Sequence, residues 1–158
     1  MIQRIQSLYL AIMMILLAIV TIGTTFFSFV NASSKFEFTS MGIIERNIES
    51  NTYISTISFP LFIGLIALIL LGFLTLMSYK NLNRQFKLGR MVFGLYFVLL
   101  ISLFVLSIYG SKLVTEETTA RKMGLGFLLV VIGFPFSFLA NTGIKRDKKL
   151  LESLNRLR

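Results

Sequence analysis

The sequence predicts an all-α membrane protein of four antiparallel transmembrane helices, and three observations carry that expectation. Four long apolar runs fill more than half of the 158 residues, no Lys, Arg, Asp or Glu lies inside any of them, and the cations gather in alternate connections. The hydrophobic fraction is 55% and the mean hydropathy +0.80, above the range of soluble domains. Runs of about twenty residues match a hydrocarbon core about 30 Å thick. Little remains for a second unit, so residues 1–158 read as one membrane domain.

The first run, 5–30, is uncharged and follows Arg4. Val30-Asn31-Ala32 resembles a small-residue cleavage site. A signal-peptide core is only about 7–15 residues long, however, so the run reads as a retained span. Residues 31–56 form the first outer loop. There Phe36 and Phe38 alternate with Lys35, Glu37 and Thr39, the period of a half-buried strand, and Tyr53 to Ile57 is a second β-favouring stretch. Met41-Gly42 and the segment Asn47 to Asn51 supply turn chemistry between them. A short β-hairpin and a disordered loop both fit, because two strands alone are marginal.

The second run, 57–79, carries Pro60 in its first turn, where proline is tolerated. A basic inner loop, 80–90, leads to the third run, 91–109. The connection 110–122 precedes the fourth run, 123–142, which Pro135 is expected to bend. Residues 143–158 read as a basic amphipathic C-terminal helix in the cytoplasm.

Orientation follows from the loop cations. With both ends inside, the inner side holds eleven: Arg4, four in the 80–90 loop and six in 143–158. The outer side holds five: Lys35, Arg46, Lys112, Arg121 and Lys122. The expectation is therefore a multi-pass protein with N-in, C-in topology. The net charge of +9 is read first as a topology signal and as a means of holding anionic headgroups.

Composition narrows the chemistry. With no Cys and no His, disulfides, thiol catalysis, bis-His haem and ordinary zinc sites are excluded, so no cofactor or metal is expected. Runs without ionisable groups argue against pumps and coupled transporters, whose relays are built from such groups. Glu45, Glu49, Glu116 and Glu117 read as solvated loop acids. No catalytic constellation emerges, and the chain is not expected to be an enzyme.

Two features point instead to packing and docking. Gly126, Gly133, Ser137 and Asn141 line one side of the fourth run, and Gly64 and Gly72 mark the second. Small residues at such spacing let helices approach closely, within the bundle or against another subunit. In the tail, Leu150, Leu154 and Leu157 share a stripe while Lys145, Arg146, Lys148 and Lys149 hold other faces. With Arg84, Lys87 and Arg90 of the inner loop, these residues suit headgroup or partner docking. The same charge suits RNA phosphate, as on a ribosome at the membrane, but no aromatic interleaving supports sequence-specific RNA binding and nothing suggests DNA.

The opening Met1-Ile2-Gln3-Arg4-Ile5-Gln6-Ser7-Leu8-Tyr9-Leu10 and the ending Gly143-Ile144-Lys145-Arg146-Asp147-Lys148-Lys149-Leu150 through Leu157-Arg158 resemble an uncharacterised bacterial family of short four-span inner-membrane proteins. The resemblance implies an inner-membrane location and a four-span architecture, and it supplies no active residues. The leading expectation is a non-enzymatic accessory or scaffold subunit of a larger inner-membrane complex, in translocation, insertion or envelope biogenesis. A channel or carrier for a small molecule or lipid, and a lipid-modifying membrane enzyme, are the alternatives from other classes.

Overall fold

The first apolar run is two elements rather than one helix. A helix over all of residues 5–30 would be about 39 Å long, well beyond a hydrocarbon core of about 30 Å. In a computed structural model, which describes residues 3–31, 34–48, 52–58, 61–114 and 120–156, helix α1 ends at Thr21 and strand β1 occupies Thr25–Val30. Gly23 makes the break, with φ of 114°, a conformation that favours glycine after a helix terminus. The residues beyond it, TFFSFV, are β-branched and aromatic.

The remaining elements are β2 (Ser34–Thr39), β3 (Gly42–Asn47), β4 (Tyr53–Ser58), α2 (Leu61–Met77), α3 (Leu82–Val114), β5 (Ala120–Met123) and α4 (Leu125–Arg156), with α1 starting at Gln3. The strands form one antiparallel sheet in the order β4-β3-β2-β1-β5. The all-α expectation is therefore corrected: this is a helical bundle carrying a five-stranded sheet. Both stretches read as β-favouring are strands, but they do not pair as a hairpin, because β3 lies between them. Pro60, Glu49, Glu116 and Glu117 lie outside the described residues.

Aromatic burial holds the sheet on the helices. Phe26, Phe27, Phe29, Phe36 and Phe38 are all buried, each stabilising the fold by about 1.5–3 kcal/mol relative to exposure. The β1–β2 register shifts between Thr25 and Phe27, and such a bulge re-aims side chains. Phe26 thereby reaches the start of α4 at Gly126, and the Phe27 ring lies 5.1 Å from that of Phe127. On the α3 side, Phe29 and Phe38 close over Gly110. On the sheet surface, Glu37 pairs with Lys35 at 2.7 Å and with Arg46 at 3.5 Å. Such partly exposed pairs contribute at most about 1 kcal/mol each.

Ser40, fully buried at the β2–β3 turn, ties the sheet to two helix ends. Its Oγ donates to the Thr21 carbonyl at the end of α1 (3.1 Å), and its carbonyl accepts the Phe62 N–H at the start of α2 (3.0 Å). Both partners belong to the terminal groups that a helix cannot satisfy internally.

Below the sheet, α1 packs on α4 and α2, and α3 packs on α4 and α2, which closes a ring of four. Three helices are long and apolar enough to cross a membrane: Leu61–Lys80, Leu82–Gly110 and Leu125–Leu150. The apolar part of α1, Ile5–Thr21, is shorter at 17 residues. Two connections are also revised. The basic loop 80–90 is mostly the first turns of α3, and the C-terminal segment is no separate helix but the unbroken continuation of α4 past Pro135.

Candidate functional site

The end of the bundle away from the sheet collects most of the charge, and its interior is set by the pitch of α4. The buried face of that helix runs Val130, Gly133, Ser137, Ala140, Ile144, Asp147, at alternating spacings of three and four residues. The stripe continues through the basic segment without a change of period. Asp147 therefore points inward while Lys145, Arg146 and Lys149 point out. It is only 8% exposed and falls within the apolar span Leu125–Leu150. The sequence reading ended the fourth run at Thr142 and left Asp147 in the basic tail; its burial on α4 corrects that placement.

Asp147 is met from α1. The Nε2 of Gln6, itself 2% exposed, donates to Asp147 Oδ2 at 2.6 Å. Gly143 permits this approach, since a Cβ there would stand 2.7 Å from Gln6 Cγ. From α3, Gln85 is buried one turn before Gly89, whose space is bounded by Ile144 and Asn141 of α4 and Thr75 of α2. Next to it, the Phe86 ring carries the Lys148 ammonium at 5.0 Å and the Arg90 guanidinium at 4.7 Å from its centroid. Aromatic faces attract cations through their quadrupole. These contacts set Gln85 at the level of Asp147. Gln6 Oε1, Gln85 Oε1, Asn141 Oδ1 and Asp147 Oδ1 are buried and find no hydrogen-bond partner among the described residues.

The outer face of α4 holds a different feature. Thr142, Lys145, Arg146, Lys149 and Leu150 line a cleft of about 350 Å³. The residues expected to dock headgroups or partners thus divide into groups. Lys145, Arg146, Lys149 and Leu150 meet in the cleft, and Arg90 and Lys148 meet on Phe86. Arg84 and Lys87 stand exposed on the first turns of α3. The side chain of Leu154 and the whole of Leu157 lie outside what is described. Sequence reasoning missed the roles of Asp147, Gln6, Gln85, Phe86 and Thr142. The three-four spacing running past Thr142 was the available signal.

The small residues divide as well. Gly72 is filled by Met13 and Met14 of α1, with an added Cβ 3.1 Å from each. Gly133 receives the Tyr96 hydroxyl, which donates to the Val130 carbonyl at 2.9 Å. Gly126 serves the sheet instead of a helix, against Thr24 and Thr25. Ser137 bonds its own helix at Phe134, and Asn141 lies between α4 and α3. Gly64 is different: it is exposed, and the nearest atom to an added Cβ is Leu99 Cδ1 at 4.0 Å.

Among the described residues, no three His, Cys, Asp or Glu side chains gather as a metal site. No curated protein and no solved structure matches the chain. A family model described as "Domain of unknown function (DUF4293)" matches residues 2–157, and the chain belongs to that family.

Proposed function

We propose that this chain is a non-enzymatic structural subunit of a larger bacterial inner-membrane assembly, crossing the bilayer four times with both ends in the cytoplasm. The cation distribution supports the orientation. As the fourth crossing, the apolar part of α1 would span about 26 Å, near the hydrocarbon thickness, while α4 and α2 cover its sides.

The observation that carries the reading is the notch at Gly64. Of the marked glycines, 72, 126 and 133 are filled by the chain's own side chains or backbone, and Gly64 is left open. It lies with Ala67 in a groove of about 260 Å³ between α2 and α3, walled by Leu95, Val98, Leu99 and Ser102. Small residues on a lipid-facing surface admit the close backbone approach that drives helix association in membranes. A transmembrane helix of another subunit fits this groove. Gentle detergent extraction is expected to recover the chain with stoichiometric partners, and Gly64→Leu to release them without impairing insertion. A wild-type chain that comes out as a clean monomer removes the reading.

The α4 cleft serves the same subunit by holding it against anionic headgroups. Each cation near an anionic surface contributes about 1 kcal/mol, so three together are expected to change affinity by about two orders of magnitude. Replacing Lys145, Arg146 and Lys149 together by Ala should lower retention of phosphatidylglycerol, and leave phosphatidylcholine unaffected, in native mass spectrometry of the purified protein. Equal loss of both lipids would show that the cleft does not recognise charge.

A further inference from the structure

The four oxygens at the basic end that find no partner among the described residues share one property: each is an acceptor. Gln6 Oε1, Gln85 Oε1, Asn141 Oδ1 and Asp147 Oδ1 come from three helices. Gln6, Gln85 and Asp147 are each more than nine-tenths buried. A buried acceptor without a donor costs about 1–3 kcal/mol, and more when charged, so four in one region call for an occupant. One water has two protons to give and can serve two of them. A bare cation has no such limit.

We propose that Gln6, Gln85 and Asp147 bind one alkali-metal cation at the inner end of the bundle, with Asn141 the next oxygen deeper in. The donor set is all oxygen, which suits hard cations and not zinc, copper or iron. The charge fits a monocation. One carboxylate and neutral amides bring a single negative charge, and a divalent ion would leave an uncompensated charge in a site shielded from water. Gln6 is also held in advance, fixed by its bond to Asp147 and its fit against Gly143.

The surrounding cations set the strength of binding. Lys145, Arg146 and Lys149 face the outer cleft, where solvent screens them over about 8 Å at physiological salt. Lys148 and Arg90 are turned onto Phe86. Their residual repulsion weakens cation binding at the site.

The test is thermal unfolding of the full chain in detergent, followed by circular dichroism, in NaCl, KCl or LiCl against N-methyl-D-glucamine chloride at equal ionic strength. At ten times the dissociation constant, a single site should raise Tm by about 3–6 °C. Asp147→Asn, which keeps the shape and an acceptor for Gln6, should abolish the difference. Gln85→Glu adds a second charge and should transfer the response to Ca²⁺. Equal Tm in all four salts overturns the proposal in favour of water at these oxygens, as does a cation effect that persists in Asp147→Asn. Should Asp147→Asn fail to fold, Gln85→Glu decides: a response to Ca²⁺ supports the site, and none overturns it.

Discussion

Replacing Gln6 by Met is expected to destabilise the chain by about 3 kcal/mol, because it leaves a buried carboxyl group without its donor. Gln6 Nε2 is the group bonded to Asp147 Oδ2, and Asp147 Oδ1 already has no partner among the described residues. Met is unbranched and of similar length, so the tight fit against Gly143 is kept and, in N-methyl-D-glucamine chloride, the loss reports the hydrogen bond. The control is Asp147→Leu in the same background. Removing both polar groups should restore part of the stability, because two apolar partners of similar shape cost less than one orphaned charge. Denaturant unfolding in mild detergent gives the four corners of the cycle. Additive losses would show that Gln6 and Asp147 do not support one another.

Gly133→Ala is the second substitution expected to act strongly. The added Cβ would fall on the Tyr96 hydroxyl, and Tyr96 is fully buried, with its OH donating to Val130. Overpacking costs about 1–3 kcal/mol and a lost hydrogen bond about 1 kcal/mol, offset by about 1 kcal/mol from the better helix propensity of Ala. A net loss of about 2 kcal/mol is expected. In a Tyr96→Phe background the hydroxyl is gone and the ring carbon that bore it would stand 3.4 Å from the added Cβ, an ordinary contact, so the same Gly133→Ala change should be close to neutral or stabilising. An equal loss in both backgrounds would mean that Tyr96 does not hold α3 to α4 through this notch.

Where the sequence reading succeeded and failed has physical reasons. The apolar cores of α2, α3 and α4 were legible because hydropathy integrates over a whole span. Strand β2 was legible from its alternating Phe36 and Phe38. Strand β1 was not, since four consecutive residues from Phe26 to Phe29 are buried and alternation disappears. Its signals were the excess length of the run and Gly23 within it. Strand β5, Ala120–Met123, is exposed and carries Arg121 and Lys122, and only its pairing with β1 makes it a strand. Asp147 was hidden by its neighbours: four cations around it, Lys145, Arg146, Lys148 and Lys149, read as a solvated tail. The inward stripe of α4 passes among them and places only the acid inside. Gly64 and Gly72 looked alike in sequence, and nothing local distinguishes the one that Met13 and Met14 fill from the one left open.

The pairing of α1 with α4 and of β1 with β5 also governs the order of assembly during synthesis. Helix α1 acquires one of its two neighbours, α4, only after α2 and α3 have been made. Strand β1 likewise acquires its second partner more than eighty residues later. Contacts so distant along the chain form slowly, and an unpaired strand is prone to join the wrong neighbour. A product truncated before Leu125 lacks the helix against which α1, α3 and the aromatic underside of the sheet are packed.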